Sequence, residues 1–148
     1  MKVRRLTAYA IALTGMVTMA SLATQTLGEE KKPATKPSHR VVAMYFHRTN
    51  RCATCRKISE YIEESLQSGF SQQLKDGQVS LSMIDFQDPK NQEYTDYYNI
   101  TGPTLVLADV RDGKVATWKP EPKVWSLVRD KDAFSKFLQG EVRGYLET

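Results

Sequence analysis

The chain is poor in cysteine. Its 148 residues hold two, Cys52 and Cys55, too few for the disulfide framework that small exported scaffolds rely on. With 41% hydrophobic residues a chain of this length buries a core without such staples. Histidine is equally scarce. Of His39 and His47, the first falls in a polar stretch, and no second Cys-x-x-Cys exists, which leaves a four-ligand zinc site poorly supplied. No cysteine follows the N-terminal apolar run, so there is no acceptor for a lipid there. No flavin- or nicotinamide-binding pattern is visible, so no such cofactor is expected; the electrons of any redox chemistry reside in the cysteine pair itself. Excess charge is lacking too. The formal +4 includes Lys2, Arg4 and Arg5, and without them 18 basic residues face 17 acidic ones, a net +1. That balance excludes nucleic-acid or membrane-surface binding through bulk charge. There is no internal repeat.

What is present begins with a leader. Residues 1–23 run from a basic start through an apolar segment, Leu6 to about Met19, to the small-residue end Ser21-Leu22-Ala23. This is the pattern of a secretory signal peptide, or, if uncleaved, of an N-terminal membrane anchor marginal in length. Either reading puts the rest of the chain in the periplasm or another extracytoplasmic space, where disulfides persist. Residues 24–39 turn to Gly, Glu, Lys and Pro and read as a solvated linker. Residues 40–148 form the one domain.

Within it, Arg40–His47 is almost continuously apolar and reads as a strand buried on both faces. From Cys52 to Gln67, Cys55, Ile58, Ile62 and Leu66 share one stripe, an amphipathic helix capped by Thr49 or Asn50 and ended by Ser68-Gly69. Val79–Asp85 is a second strand. Asp88-Pro89 opens a polar helix to about Tyr98 with Tyr94, Tyr97 and Tyr98 as its apolar face. Thr104–Ala108 is a third strand, joined by the turn Arg111-Asp112-Gly113-Lys114 to Val115–Trp118. A last helix starts near Asp130 or Asp132 and presents Phe134, Phe137, Leu138, Val142 and Tyr145. Strand–helix–strand–helix–strand–strand–helix is an α/β order. The first two strands are expected parallel, the last two antiparallel, in a four-stranded mixed sheet with helices on both faces.

The chemistry centres on Arg51-Cys52-Ala53-Thr54-Cys55-Arg56-Lys57. Cysteines three apart at a helix start lie on one face, close enough for a disulfide. Cys52 sits among the free amides of the first turn and near Arg48, Arg51, Arg56 and Lys57. Amides and cations both favour thiolate over thiol, so Cys52 is the expected nucleophile and Cys55 the resolving thiol. Arg51 and Arg56 are the expected electrostatic activators, and His47 is a candidate acid/base. Two other uses of the pair stay open. One is a soft-metal carrier, although such domains order their elements differently. The other is a plain staple, which a four-residue loop would make only weakly, about 2 kcal/mol.

This order of elements, with Cys-x-x-Cys opening the first helix, resembles the thioredoxin fold. Tyr98-Asn99-Ile100-Thr101-Gly102-Pro103-Thr104 is similar to the thioredoxin segment that faces the cysteines. The resemblance implies a cis Pro103 and a substrate-binding edge at Gly102 and Pro103. Residues 40–148 are more closely similar to the small exported ArsF family, named as nitrophenyl compound nitroreductase subunits. The carriers are Tyr45-Phe46-His47, Cys52-Ala53-Thr54-Cys55-Arg56-Lys57, Asp112-Gly113-Lys114, Lys123-Val124-Trp125 and Glu141–Leu146. That likeness implies a protein thiol or disulfide partner, such as a membrane thiol transporter of the cytochrome-biogenesis type, and alternatively a non-catalytic docking subunit of a nitroreductase complex. The chain departs from thioredoxin where that family has tryptophan before the first cysteine and Gly-Pro between the two. Here stand Arg51 and Ala53-Thr54, and Tyr45 replaces the family's buried acid.

Overall fold

A computed structural model describes residues 37–148. The leader at 1–23 and all but the last three residues of the expected linker lie outside the described residues. The first strand starts one residue earlier than its apolar pattern suggests. β1 spans His39–His47, and the imidazole Nε2 of His39 lies 2.9 Å from Oδ1 of Asp109. That buried carboxylate draws into the sheet a histidine that sequence pattern assigns to the linker.

After β1 come α1 (Ala53–Asp76), β2 (Val79–Asp85), a 3₁₀ turn (Pro89–Asn91), α2 (Gln92–Tyr97), β3 (Thr104–Arg111), β4 (Lys114–Pro120), α3 (Lys123–Leu127) and α4 (Lys131–Leu146). The sheet order is β2-β1-β3-β4. β1 runs parallel to β2 with Phe46 opposite Ile84, antiparallel to β3 with Phe46 opposite Thr104, and β3 antiparallel to β4. The expected α/β class, mixed four-stranded sheet and thioredoxin-like order of elements are all present. Helix α1 returns the chain to the starting end of β1, which is what a parallel neighbour requires. A tight turn with positive φ at Asp112 and Gly113 makes β3 and β4 a hairpin.

Side chains alternate across the sheet, and two cores result. On the first face Val41, Ala43, Tyr45, Leu105 and Leu107 pack against Ile58, Ile62, Leu66 and Phe70 of α1, Val124 of α3 and Phe134, Leu138 and Val142 of α4. Burying each such side chain contributes about 1.5–3 kcal/mol. On the second face Met44, Phe46, Ile84, Val106 and Ala108 meet Tyr98 and Ile100.

Three sequence expectations fail for physical reasons. Ser68-Gly69 interrupts α1 without ending it: the backbone leaves the helical region at Phe70 (φ −142°, ψ 34°), one residue later, and the helix resumes to Asp76. Gly69 serves close approach instead of termination. A Cβ there would lie 2.7 Å from the Gln139 side chain of α4, and Gln139 Nε2 donates to Ser65 O at 2.9 Å. The three tyrosines of the second helix do not form one apolar face: Tyr98 is buried, whereas Tyr94 and Tyr97 are 51% and 55% exposed. A six-residue helix is too short to present a stripe. Thr49 and Asn50 do not cap α1; Cys52 does.

Candidate redox site

The site grows from the end of β1. His47 closes the strand, Arg48–Arg51 turn the chain, and Cys52 takes the extended backbone of an N-cap residue (φ −70°, ψ 166°). Its sulfur accepts from the Cys55 amide at 3.2 Å, the part usually played by a serine or aspartate oxygen. The two Sγ atoms are 2.8 Å apart and unbonded. Cys52 is exposed, whereas Cys55, one turn further, is buried against the first core.

This difference in surroundings separates the two acidities. The Cys52 thiol is lowered, first by a hydrogen bond from the Cys55 thiol, then by the amides of Cys55 and Thr54. Cys55 is raised, first by burial and then by sharing its proton with Cys52. Burial penalises charge on the inner sulfur, and a hydrogen bond rewards it on the outer one. The pair's own geometry therefore makes the outer sulfur the more acidic of the two.

The arginines contribute less than their sequence position suggests. Arg51 turns inward, with Nη1 donating to Ser59 Oγ at 3.3 Å and Nη2 against His47 Nε2. Arg56 Nη1 donates to the Arg51 carbonyl at 2.6 Å. The first causes that lower Cys52 are the Cys55 thiol and the first-turn amides. His47 is buried. Its Nδ1 lies 3.0 Å from the Arg48 carbonyl, which only accepts, so Nδ1 carries the hydrogen and Nε2 receives Arg51. With both ring nitrogens engaged, any acid/base use of His47 must first displace Arg51.

Gly102 and Pro103 precede β3. Because Phe46 pairs with Thr104, they leave the sheet at the same end as the loop that delivers Cys52. The Gly102 carbonyl accepts from Thr104 Oγ1 at 2.9 Å, and a Cβ at Gly102 would meet nothing within 4 Å.

Beneath the cysteines lies Tyr45, fully buried. Its hydroxyl donates to the Cys55 carbonyl at 3.4 Å, which also receives the Ser59 hydroxyl at 3.1 Å. Burial first, and then the two sulfurs, push the Tyr45 phenol far above its ordinary value. It therefore stays protonated at any working pH and acts as a donor, never as a base. Ser59 escapes sequence reasoning. The signal is a serine next to the apolar stripe of α1, four residues after Cys55, where a buried hydroxyl must be hydrogen-bonded. At the end of β2, the Asp85 carboxyl is held below its usual range by Thr49 and by the Gln87 amide.

Among the described residues no group of three or more His, Cys, Asp and Glu is placed to hold a metal, and no helix is long and apolar enough to cross a membrane. No protein-family model matches the chain, and no curated protein matches it. Among solved structures it is similar to oxidised thioredoxin from Plasmodium falciparum, at 16% identity over 70% of this chain and 82% of that one, with a TM-score of 0.43. It is also similar to thioredoxin O2 from Arabidopsis thaliana in the oxidized state (19% identity, 67% and 76%, TM-score 0.41) and to Fasciola hepatica thioredoxin (19%, 66% and 80%, TM-score 0.40). The thioredoxin-like fold is carried by the chain's own strand order and pairing.

Proposed function

We propose that the chain is an exported thiol–disulfide oxidoreductase that exchanges disulfides with a protein partner or relays electrons to a reductase system. The observation that carries this reading is the asymmetric pair: an exposed, acidified Cys52 touching a buried, proton-retaining Cys55. The Cys52 thiolate attacks a partner disulfide, forming a mixed disulfide and releasing one partner thiolate. Cys55 then loses its proton and attacks the Cys52 sulfur. The Cys52–Cys55 bond forms and the second partner thiolate leaves. Two electrons pass to the partner; the Cys55 proton and one proton from solvent end on its two thiols. Run backwards, the same steps oxidise a dithiol.

Gly102 and Pro103 supply the edge on which the partner strand lies, a role supported by their place at the Cys52 end of the sheet. Export is supported by the basic–apolar–small pattern of residues 1–23. The Cys-Ala-Thr-Cys-Arg-Lys string supports membership in the exported ArsF-like group, and with it a membrane thiol transporter of the cytochrome-biogenesis type as partner.

The test is a Cys55→Ser variant. It is expected to stall at the mixed disulfide and to carry its partner as a covalent adduct that releases on reduction and is identified by mass spectrometry. In the unmodified protein, alkylation of Cys52 is expected to show a midpoint below the free-thiol value of about 8.5. A midpoint at or above that value, together with no adduct, overturns the reading.

A further inference from the structure

Four cations surround Cys52 in sequence, Arg48, Arg51, Arg56 and Lys57, with no acidic residue between Arg48 and Glu60. Acidifying the sulfur is their obvious use, but the cysteine pair and the helix amides already do that. Nor are they tied down by carboxylates. The ion pairs among the described residues use His39, Arg111, Lys119 and Lys131, and none uses a cation of this group. Arg51 is spent inside the loop on His47 and Ser59, close enough to Asp85 to lower that carboxyl. Arg48, Arg56 and Lys57 are exposed. Arg56 is braced by the Arg51 carbonyl, and the Lys57 ammonium lies 5.5 Å from the centre of the Tyr61 ring, so each head has a preferred position yet keeps its charge unneutralised.

We infer that Arg48, Arg56 and Lys57 form a recognition patch that selects partner disulfides flanked by carboxylates, carried on an acidic protein segment. This rests on the thiol–disulfide reading above and names its substrate class. A protein segment fits better than a small disulfide because Cys52 stands exposed at a helix tip, whereas small-molecule sites enclose their ligands. Charges of opposite sign on two approaching surfaces raise the encounter rate and suppress wrong partners. At 0.1 M salt they act over about 10 Å, enough to span the first turn of α1. The bond exchange is the first step already described: the Cys52 thiolate displaces one thiolate of the acidic disulfide, and Cys55 displaces the other.

Three peptide disulfides of one length test this, with the cysteine flanked by aspartates, by glutamines or by lysines. Each rate of reaction with the reduced protein is divided by that peptide's rate with dithiothreitol, to remove intrinsic reactivity. The acidic peptide is expected to react roughly 10-fold faster than the neutral one, and the basic one slower, at low ionic strength. The spread is expected to collapse within about 3-fold in 0.5 M salt, and to invert in an Arg48→Glu, Lys57→Glu variant of unchanged thermal stability. Equal normalised rates for the three peptides overturn the inference and leave the oxidoreductase reading standing. A glutathione disulfide rate above that of the acidic peptide overturns the protein-segment assignment. No exchange with any disulfide overturns the oxidoreductase reading itself.

Discussion

The two faces of the sheet are built to different standards. The first is roofed by α1, α3 and α4 over a continuous apolar core. The second has a smaller core, covered by Tyr98 and Ile100 just beyond α2; none of the six residues of α2 is buried, and two of its tyrosines are about half exposed. A cleft of about 380 Å³ stays open there, lined by Val42, Met44, Ser80, Ser82, Tyr94 and Tyr98 among others. What seals the thin side is aromatic: Tyr98 packs on Phe46 at 5.9 Å and edge-on to Trp118 at 5.2 Å. The candidate site touches the thickly roofed face: Tyr45 belongs to that core, and its hydroxyl donates to the Cys55 carbonyl. Of the two sulfurs the inner one is buried, and burial is the first cause that holds its proton.

The comparison breaks most visibly on truncation. Phe134→Ala is expected to cost about 3–5 kcal/mol, as for a fully buried phenylalanine, and Trp118→Ala about half as much because the indole is only partly covered. Urea unfolding of the two variants measures the difference, and equal losses would mean that the faces contribute alike.

A smaller effect comes from the charged margin of the first face. Glu121 is 2% exposed, with Lys119 Nζ 3.2 Å from its Oε1 and 3.1 Å from Glu141 Oε2. At 3.2 Å the Lys119–Glu121 contact is an ion pair without an aligned hydrogen bond. Burial raises the Glu121 carboxyl and Lys119 partly offsets that rise. The folded chain therefore holds this proton more tightly than the unfolded chain does. Its stabilising effect is complete below the unfolded carboxyl value, about 4.3, and fades as pH climbs through the folded one. Lys119→Met leaves the carboxylate uncompensated and is expected to cost about 1–2 kcal/mol at pH 8 and less at pH 5. Chemical denaturation at the two pH values checks the sign.

The smallest effect sits at the redox pair. Tyr45→Phe removes a buried donor worth about 0.5–1.5 kcal/mol while Ser59 still serves the Cys55 carbonyl. Because the phenol is also a donor beside the Cys55 sulfur, its loss is expected to raise the Cys55 alkylation midpoint, read in a Cys52→Ser background. An unchanged midpoint would reduce Tyr45 to packing.

Much of the fold was legible because period and chemistry coincide along the chain. The α1 stripe, the hairpin turn at Asp112-Gly113 and the Asp130 cap, whose side chain accepts from Ala133 N at 3.0 Å, are local patterns with local causes. The errors share one origin. Gly69 reads locally as a stop, whereas it precedes a kink and lets α4 approach α1; Tyr94 and Tyr97 read as an apolar face, yet each is about half exposed.

Sequence by itself determined that two cysteines three residues apart open a helix after a buried strand, and hence where the candidate site lies. Only the tertiary structure decided why they differ. Arginines counted along the chain pointed to electrostatic activation. The fold turned Arg51 inward, bound Arg56 to a carbonyl, and set the Cys55 thiol and the first-turn amides as the first causes that lower Cys52. Proximity in sequence places a charge near a sulfur, but the direction of its side chain, and the burial that holds a proton on its neighbour, depend on segments far away in the chain.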